Sequence, residues 1–208
     1  LWLWLRGGER GELLHRSRHL TQALAPAFCL DECWDAFKYE DGRDLSGYVD
    51  GTENPVDDDA VRTAIVADGP LAGSSFVAVQ RWRHDFARCE AMAQGERDHA
   101  VGSRQSDNEE LEDAPESAHV KRTAQESFSP EAFVLRRSMP WAQGLEGGLM
   151  FTAFGASYDA FEAQLKRMIG SEDGIVDALF AFTRPVSGAY YWCPALREGR
   201  LDLSPLGF

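Results

Sequence analysis

Apolar positions in this chain come in short blocks separated by polar and glycine-rich stretches. LWLWL, Leu1 to Leu5, is a continuous apolar run of strand length, closed by Arg6, Gly7 and Gly8. Residues 11–25 switch to a helical period, with Leu13, Leu20 and Leu24 on one face and Pro26 as the stop. Cys33 to Tyr39 is a second strand candidate, and Glu40 to Asp59 is a long turn-rich stretch. Beyond it, Ser75 to Trp82 predicts a strand and His84 to Gln94 a short helix. Gly95 to Pro130 reads as acidic and irregular, too long for an ordinary loop and so a candidate for function. Ala132 to Ser138 and Gly148 to Phe154 predict two strands. Ser157 to Ile169 predicts an amphipathic helix with Phe161, Leu165 and Met168 on one face. Gly174 to Phe182 predicts a further short helix and Gly188 to Cys193 a last strand.

Read in order, the second part is β-α-β-β-α-β with one extra helix, the ferredoxin-like pattern. The first part supplies only β-α-β, the closing half of such a unit. The expected fold is therefore α+β: two ferredoxin-like units with antiparallel sheets, the first incomplete at its N-terminus. Residues 1–58 would hold the rest of the first unit and the acid-bearing loop, and residues 59–208 the second unit. The first residue is not Met and the chain opens inside a strand candidate, so it reads as a piece of a longer protein. A first unit without its start would carry an open sheet edge.

Charge narrows the partners. The 208 residues include 21 basic and 34 acidic ones, a net charge of −13. That argues against nucleic acid and anionic membrane surfaces. No run approaches the roughly 18 apolar residues of a membrane span, and Leu1 to Leu5 is too short, with no basic flank before it, for a signal peptide. Cys29, Cys33, Cys89 and Cys193 are scattered without a CxxC pair, which suits a reduced, cytoplasmic setting.

The segment GYVDGTENP, Gly47 to Pro55, holds one acid between glycines and leaves by an extended Asn-Pro step. Such a backbone can present Asp50 to something large and flat. Among the histidines, His15 and His19 lie four apart but on the polar face of their helix, with no acid completing a zinc pattern. His84, read as opening a helix, and His99, in polar loop, read as structural. His119, in ESAHVKR just before a strand, can either point across a cavity or lie on a surface loop. Arg136 and Arg137 end an apolar strand, where alternation sends neighbours to opposite faces; one points inward, unless the strand is an edge with both arginines wet. A calcium loop starting at Asp50 fails, because Pro55 and Val61 fall where glycine and glutamate are required. Gly-x-Ser-x-Gly and the phosphate-binding glycine loop are both absent.

Together GYVDG, SAHVKRT, VLRRSMPW and the surrounding GTENP, QRWRHD and GAYYWCPAL resemble the DyP-type (dye-decolourising) haem peroxidases, in their compact bacterial subgroup. The resemblance runs along nearly the whole chain and implies a duplicated ferredoxin-like fold around haem b. It implies His119 as the iron ligand, with Asp177 accepting its other N–H. Asp50 would shuttle a proton between the peroxide oxygens. Arg136 would stabilise charge on the departing oxygen, and Ser138 would hold a water beside them. Gly51 and Thr52 would lie against the porphyrin. Arg104 would take a propionate contact, although the family's Gly-Arg is replaced here by Gly102, Ser103 and Arg104. The implied partners are hydrogen peroxide and a small organic reductant such as a dye, phenol or porphyrinogen. Association into homo-oligomers is implied as well. The apolar tail from Leu201 to Phe208 offers a docking element for an encapsulating shell, or a terminal strand extension. Trp82, Trp141, Tyr190, Tyr191 and Trp192 are either core packing or a path for electrons to the surface.

Three other readings compete. A haem-binding or haem-handling protein with little turnover would keep His119 but ignore changes at Asp50 and Arg136. A fragment that neither folds nor binds haem would be molten. A ferredoxin-like module without haem would leave Asp50, His119 and Arg136 without a common purpose.

Overall fold

A computed structural model describes residues 1–207. The chain divides into two units, Leu1–Asp35 and the remainder from Ala36. The first contains one regular element, helix α1 (Arg10–Leu24), with the predicted stripe of Leu13, Leu20 and Leu24 half-buried and His15 and His19 exposed. Leu1–Leu5 forms no strand. An apolar run becomes a strand only beside another strand, and among the described residues no strand pairs with Leu1–Leu5. The strand expected over 33–39 likewise shrinks to one bridge, Ala36 to Trp141.

From Ala36 onward the elements are α2 (Asp57–Ala64), β1 (Ser75–His84), α3 (Phe86–Ala91), α4 (Gln94–Val101), α5 (His119–Arg122), β2 (Leu135–Arg136), β3 (Met139–Gln143), β4 (Glu146–Gly155), α6 (Asp159–Met168) and β5 (Thr183–Cys193). A two-stranded hairpin, β6 (Leu196–Arg197) and β7 (Arg200–Leu201), follows. Of the tail from Leu201, only Leu201 lies in a strand, Ser204–Leu206 forms a 3₁₀ turn, and Phe208 lies outside the described residues. The main sheet runs β2-β4-β1-β5, all antiparallel, with β3 pairing β4. This is the ferredoxin-like order. The α+β class and antiparallel sheet stand as expected; of the incomplete first unit the helix is present and its two strands are not.

β1 is the central strand, and its near-continuous apolar run Val77 to Gln80 is buried throughout. α6 lays Phe161 on Ala78, Val134 and Ala153, with Phe151 and Leu165 packed around them. A second cluster joins Tyr48, Cys89, Ala100, Val101 and Phe182.

Several elements differ from the sequence reading. The strand after Gly73 runs on to His84, so that histidine closes a strand and opens no helix. The segment 95–130 is ordered by α4, α5 and a 3₁₀ turn, which places His99 on a helix. Gly174 to Phe182 yields only a 3₁₀ turn at Ala178–Ala181. The strand expected at 132–138 is two residues long, and β3 follows it. Pro140, which disfavours a strand in the sequence, sits in β3, and Gly144 with φ +62° turns the chain tightly back into β4. Helix α2 was also missed, although Asp57 to Asp59 in its first turn and Arg62 in its last complement the helix dipole.

Gly148 marks a close backbone approach between β4 and β1. A Cβ there would lie 2.0 Å from the Trp82 carbonyl oxygen, which accepts from Trp141 Nε1 at 2.9 Å. Backbone on both sides leaves little room to yield. Gly148→Ala is expected to lower stability by about 1–3 kcal/mol, measured by urea unfolding; an unchanged midpoint would show that β1 and β4 can separate there freely.

Candidate active site

The loop bearing Asp50 is fixed at several points. Tyr48 turns inward, is 4% exposed and donates to Asp98 Oδ1 at 2.6 Å. Burial and then that acceptor push its hydroxyl pKa well up. Asp44 carries the loop's other anchor: its Oδ1 lies 2.8 Å from Nε2 of buried His84, while Oδ2 accepts from the Ser46 backbone N–H. The second ring nitrogen of His84 meets Thr183 Oγ1 at 2.7 Å. Burial would raise the Asp44 carboxyl, but the bond and charge of His84 and the Ser46 donors outweigh it and hold it below the ordinary carboxylate range. Gly47 and Gly51 have φ of +90° and +81°, and a Cβ at either would strike Gln105 or Asn54. The glycines therefore have an internal cause, left-handed backbone with close side chains, independent of any bound body.

With its loop held by Tyr48 and Asp44, Asp50 is left partly exposed, Oδ1 at 3.5 Å from Arg136 Nη1. Strand alternation holds as predicted: Arg136 is largely buried and Arg137 exposed. Ser138 Oγ accepts from Thr152 N at 3.3 Å, where β2 gives way to β3. Thr52 is exposed. Arg104 is committed elsewhere: it donates to both oxygens of Asp107 and to Glu109.

His119 opens α5, with Nδ1 at 2.8 Å from Asp177 Oδ2. Asp177 is 1% exposed, and its Oδ1 accepts from Leu179 N at 2.8 Å. An ionised carboxylate only accepts, so His119 donates from Nδ1, and in the neutral ring Nε2 then carries the lone pair. The imidazole remains partly open, at 23% side-chain exposure, and Nε2 has no partner among the described residues. An apolar cleft of about 520 Å³ touches Asp177, Met92, Ala100 and Phe180 but reaches neither His119, Asp50 nor Arg136.

Sequence reasoning missed the ties between these parts. Asn54 brackets the Arg136 backbone, accepting from its N–H at 2.7 Å and donating to its carbonyl at 3.2 Å. Gln125, buried just after α5, donates to Glu53 O and accepts from Val134 N, both at 2.9 Å. Their only sequence signal is an amide side chain next to a proline in GTENP and another at a helix exit.

A second tie lies beside the His119–Asp177 pair. Arg122, 4% exposed on α5, binds both oxygens of Asp173 at 2.7 and 2.9 Å and the Arg167 carbonyl at 2.7 Å. The Arg122 hydrogen bonds lead in holding the Asp173 carboxyl below its ordinary value of 3.8. A lowered folded pKa gives stability that is complete above the unfolded value and lost as pH falls through the folded one. Arg122→Met is expected to flatten the acid side of a stability-versus-pH curve below 3.8. Asp173→Asn should lower the urea midpoint further than Arg122→Met, because it strands a buried guanidinium; the reverse order would put the weight on the Arg167 carbonyl bond.

Iron carried by a porphyrin needs one protein nitrogen, whereas a bare ion needs three or four donors. No cluster of three or more acidic, histidine or cysteine ligands occurs among the described residues. His119, oriented by a buried acid and open at Nε2, fits the porphyrin case. No helix among the described residues is long and apolar enough to cross a membrane.

Comparison with known proteins leads the same way. Residues 41–198 match the family model for the C-terminal part of the Dyp-type peroxidases. A dye-decolorizing peroxidase of Rhodococcus erythropolis is 33% identical over 183 residues, 84% of this chain and 54% of that protein. One from Mycobacterium tuberculosis is 30% identical over 77% of this chain and 50% of that protein. The chain thus spans about half the length of these relatives. A dye-decolorizing protein from V. cholerae superposes with TM-score 0.82 at 33% identity, covering 89% of this chain and 63% of that one. A variant of Rhodococcus jostii RHA1 DypB, solved in complex with heme, gives 0.85 at 28% identity over 91% and 64%. By sequence and by fold, the chain belongs to the Dyp-type peroxidase family.

Proposed function

We propose that this chain carries the haem site of a peroxidase that reduces hydrogen peroxide and oxidises a small organic donor. The observation that carries the reading is His119, whose Nδ1 donates to a buried carboxylate while Nε2 stays uncommitted. Asp177 fixes the tautomer and raises the basicity of the ligating nitrogen. Haem, when bound, supplies the iron through which peroxide and a one-electron donor exchange electrons. Support comes from the relatives named for this activity and from the heme held by the R. jostii protein.

The remaining residues act on protons and charge. The Asp50 carboxylate takes a proton from one peroxide oxygen and returns it to the other. The Arg136 guanidinium stabilises negative charge on the oxygen that departs. Ser138, its oxygen accepting from Thr152, keeps a hydroxyl proton to hold a water near them. Gly51 and Thr52 lie on the exposed turn beyond Asp50 and would contact the porphyrin. The Arg104 guanidinium gives Nε and Nη2 to two acids and would offer a propionate its remaining Nη1. Homo-oligomerisation and a shell partner for the tail belong to the same reading of the whole protein.

The test is a visible spectrum of the purified protein with haem added, before and after one equivalent of peroxide, followed by oxidation of a dye. A Soret band that responds to peroxide, with dye turnover, is expected. A band that ignores peroxide would move the assignment to haem carriage. No specific band would mean that this stretch of chain does not form the site.

A further inference from the structure

We propose that Asn54 is a positioning residue for the peroxide reaction, fixing Arg136 through its backbone; this rests on the function proposed above. β2 is the edge strand of the sheet, so one side of its backbone faces no neighbouring strand. Along that side, the Val134 N–H donates to Gln125 Oε1 and the Arg136 N–H to Asn54 Oδ1, at 2.9 and 2.7 Å. Asn54 Nδ2 returns a bond to the Arg136 carbonyl at 3.2 Å. Two side-chain amides thus take the part of a missing strand. Gln125 also holds Glu53 O at 2.9 Å, the residue before Asn54, so the two amides act as one strip.

The consequence is a fixed relation between the Asp50 loop and Arg136. The direct contact is weak: 3.5 Å between Nη1 and Oδ1, both side chains partly wet. It cannot by itself hold two flexible groups at a set spacing. The Asn54 bracket can, because it joins backbone to a loop already pinned. Asn54 N also bonds Gly51 O at 3.2 Å, and its Nδ2 would lie 2.8 Å from a Cβ at Gly51. That packing ties the bracket to the residue next to Asp50. Small displacements of a charge-stabilising group lose rate steeply, so Arg136 depends on Asn54 without Asn54 touching peroxide.

The experiment compares the wild type with Asn54→Ala, Gln125→Ala and Arg136→Leu. Asn54→Ala is expected to lower kcat/KM for peroxide about 10–100-fold, to leave the KM for the dye unchanged, and to leave haem affinity by Soret titration within about threefold, since His119 is untouched. Amide hydrogen exchange at Arg136 should quicken about tenfold or more in Asn54→Ala, and at Val134 in Gln125→Ala. A merely structural role would shift thermal stability but move the dye and peroxide parameters together. Peroxide kcat/KM at the wild-type level in Asn54→Ala, while Arg136→Leu loses it, would overturn the proposal and spare the functional reading. A wild-type protein with no haem-dependent turnover would overturn that reading and the catalytic consequence together. Unchanged Arg136 exchange in Asn54→Ala would overturn the bracket itself, with or without haem.

Discussion

His119→Ala is expected to remove the specific haem complex, lowering affinity at least about 100-fold, and free imidazole should restore part of the Soret band. Asp177→Asn should come close to it, for a reason of hydrogen-bond polarity. Leu179 N donates to one oxygen of Asp177, which fixes that side as an acceptor. An asparagine would keep its oxygen there and turn its NH₂ toward His119. Nδ1 would then have to accept, and the imidazole proton would move to Nε2, the atom assigned to the iron in the proposed function. The variant keeps the size and burial of the native residue and reverses only the tautomer. Haem titration and the ferric–ferrous midpoint potential read the effect. Binding and potential at wild-type values in Asp177→Asn would show that the 2.8 Å contact is packing without electronic influence.

The paired acid and imidazole were legible in sequence only through resemblance. His119 and Asp177 stand 58 residues apart, and no local period links them. What periodicity carried well was the sheet and its cover: a strand over Ser75 to Trp82, Phe161 and Met168 on the inner side of α6, Arg136 in and Arg137 out. It failed where pairing decides structure. Leu1–Leu5 has strand composition but no strand beside it, and β3 forms despite Pro140 because β4 offers an edge. It also failed where polar side chains replace backbone. His84 reads in the sequence as a structural residue opening a helix, yet it closes β1, and its two nitrogens join β1, β5 and the Asp44 loop from a buried position. Asn54 and Gln125 do the same along β2. Such residues carry no hydrophobic signal, since their role is set by donors and acceptors that meet only after the sheet has formed.

Arg136→Leu should lower kcat/KM for peroxide about 10²–10³-fold, equivalent to roughly 2.7–4 kcal/mol of lost charge stabilisation, with haem binding intact. Leucine fills the same partly buried site without a donor, so packing against β4 survives and only the charge is removed. Asp50→Asn should lower the same parameter about 10²–10⁴-fold by removing the proton carrier. The 3.5 Å separation bears on how the two combine. A tight bidentate pair would spend each group on the other, whereas this spacing leaves the carboxylate free to move a proton and the guanidinium free to meet a new anion. In the proposed function both serve one bond cleavage, so the double variant should lose little more than the worse single one. Rapid-mixing measurement of the first peroxide reaction, beside steady-state dye oxidation, separates this step from electron delivery. Additive losses would mean that the two residues act on different steps. Unaltered peroxide reaction in both single variants, with haem bound through His119, would leave carriage of haem as the function that the site performs.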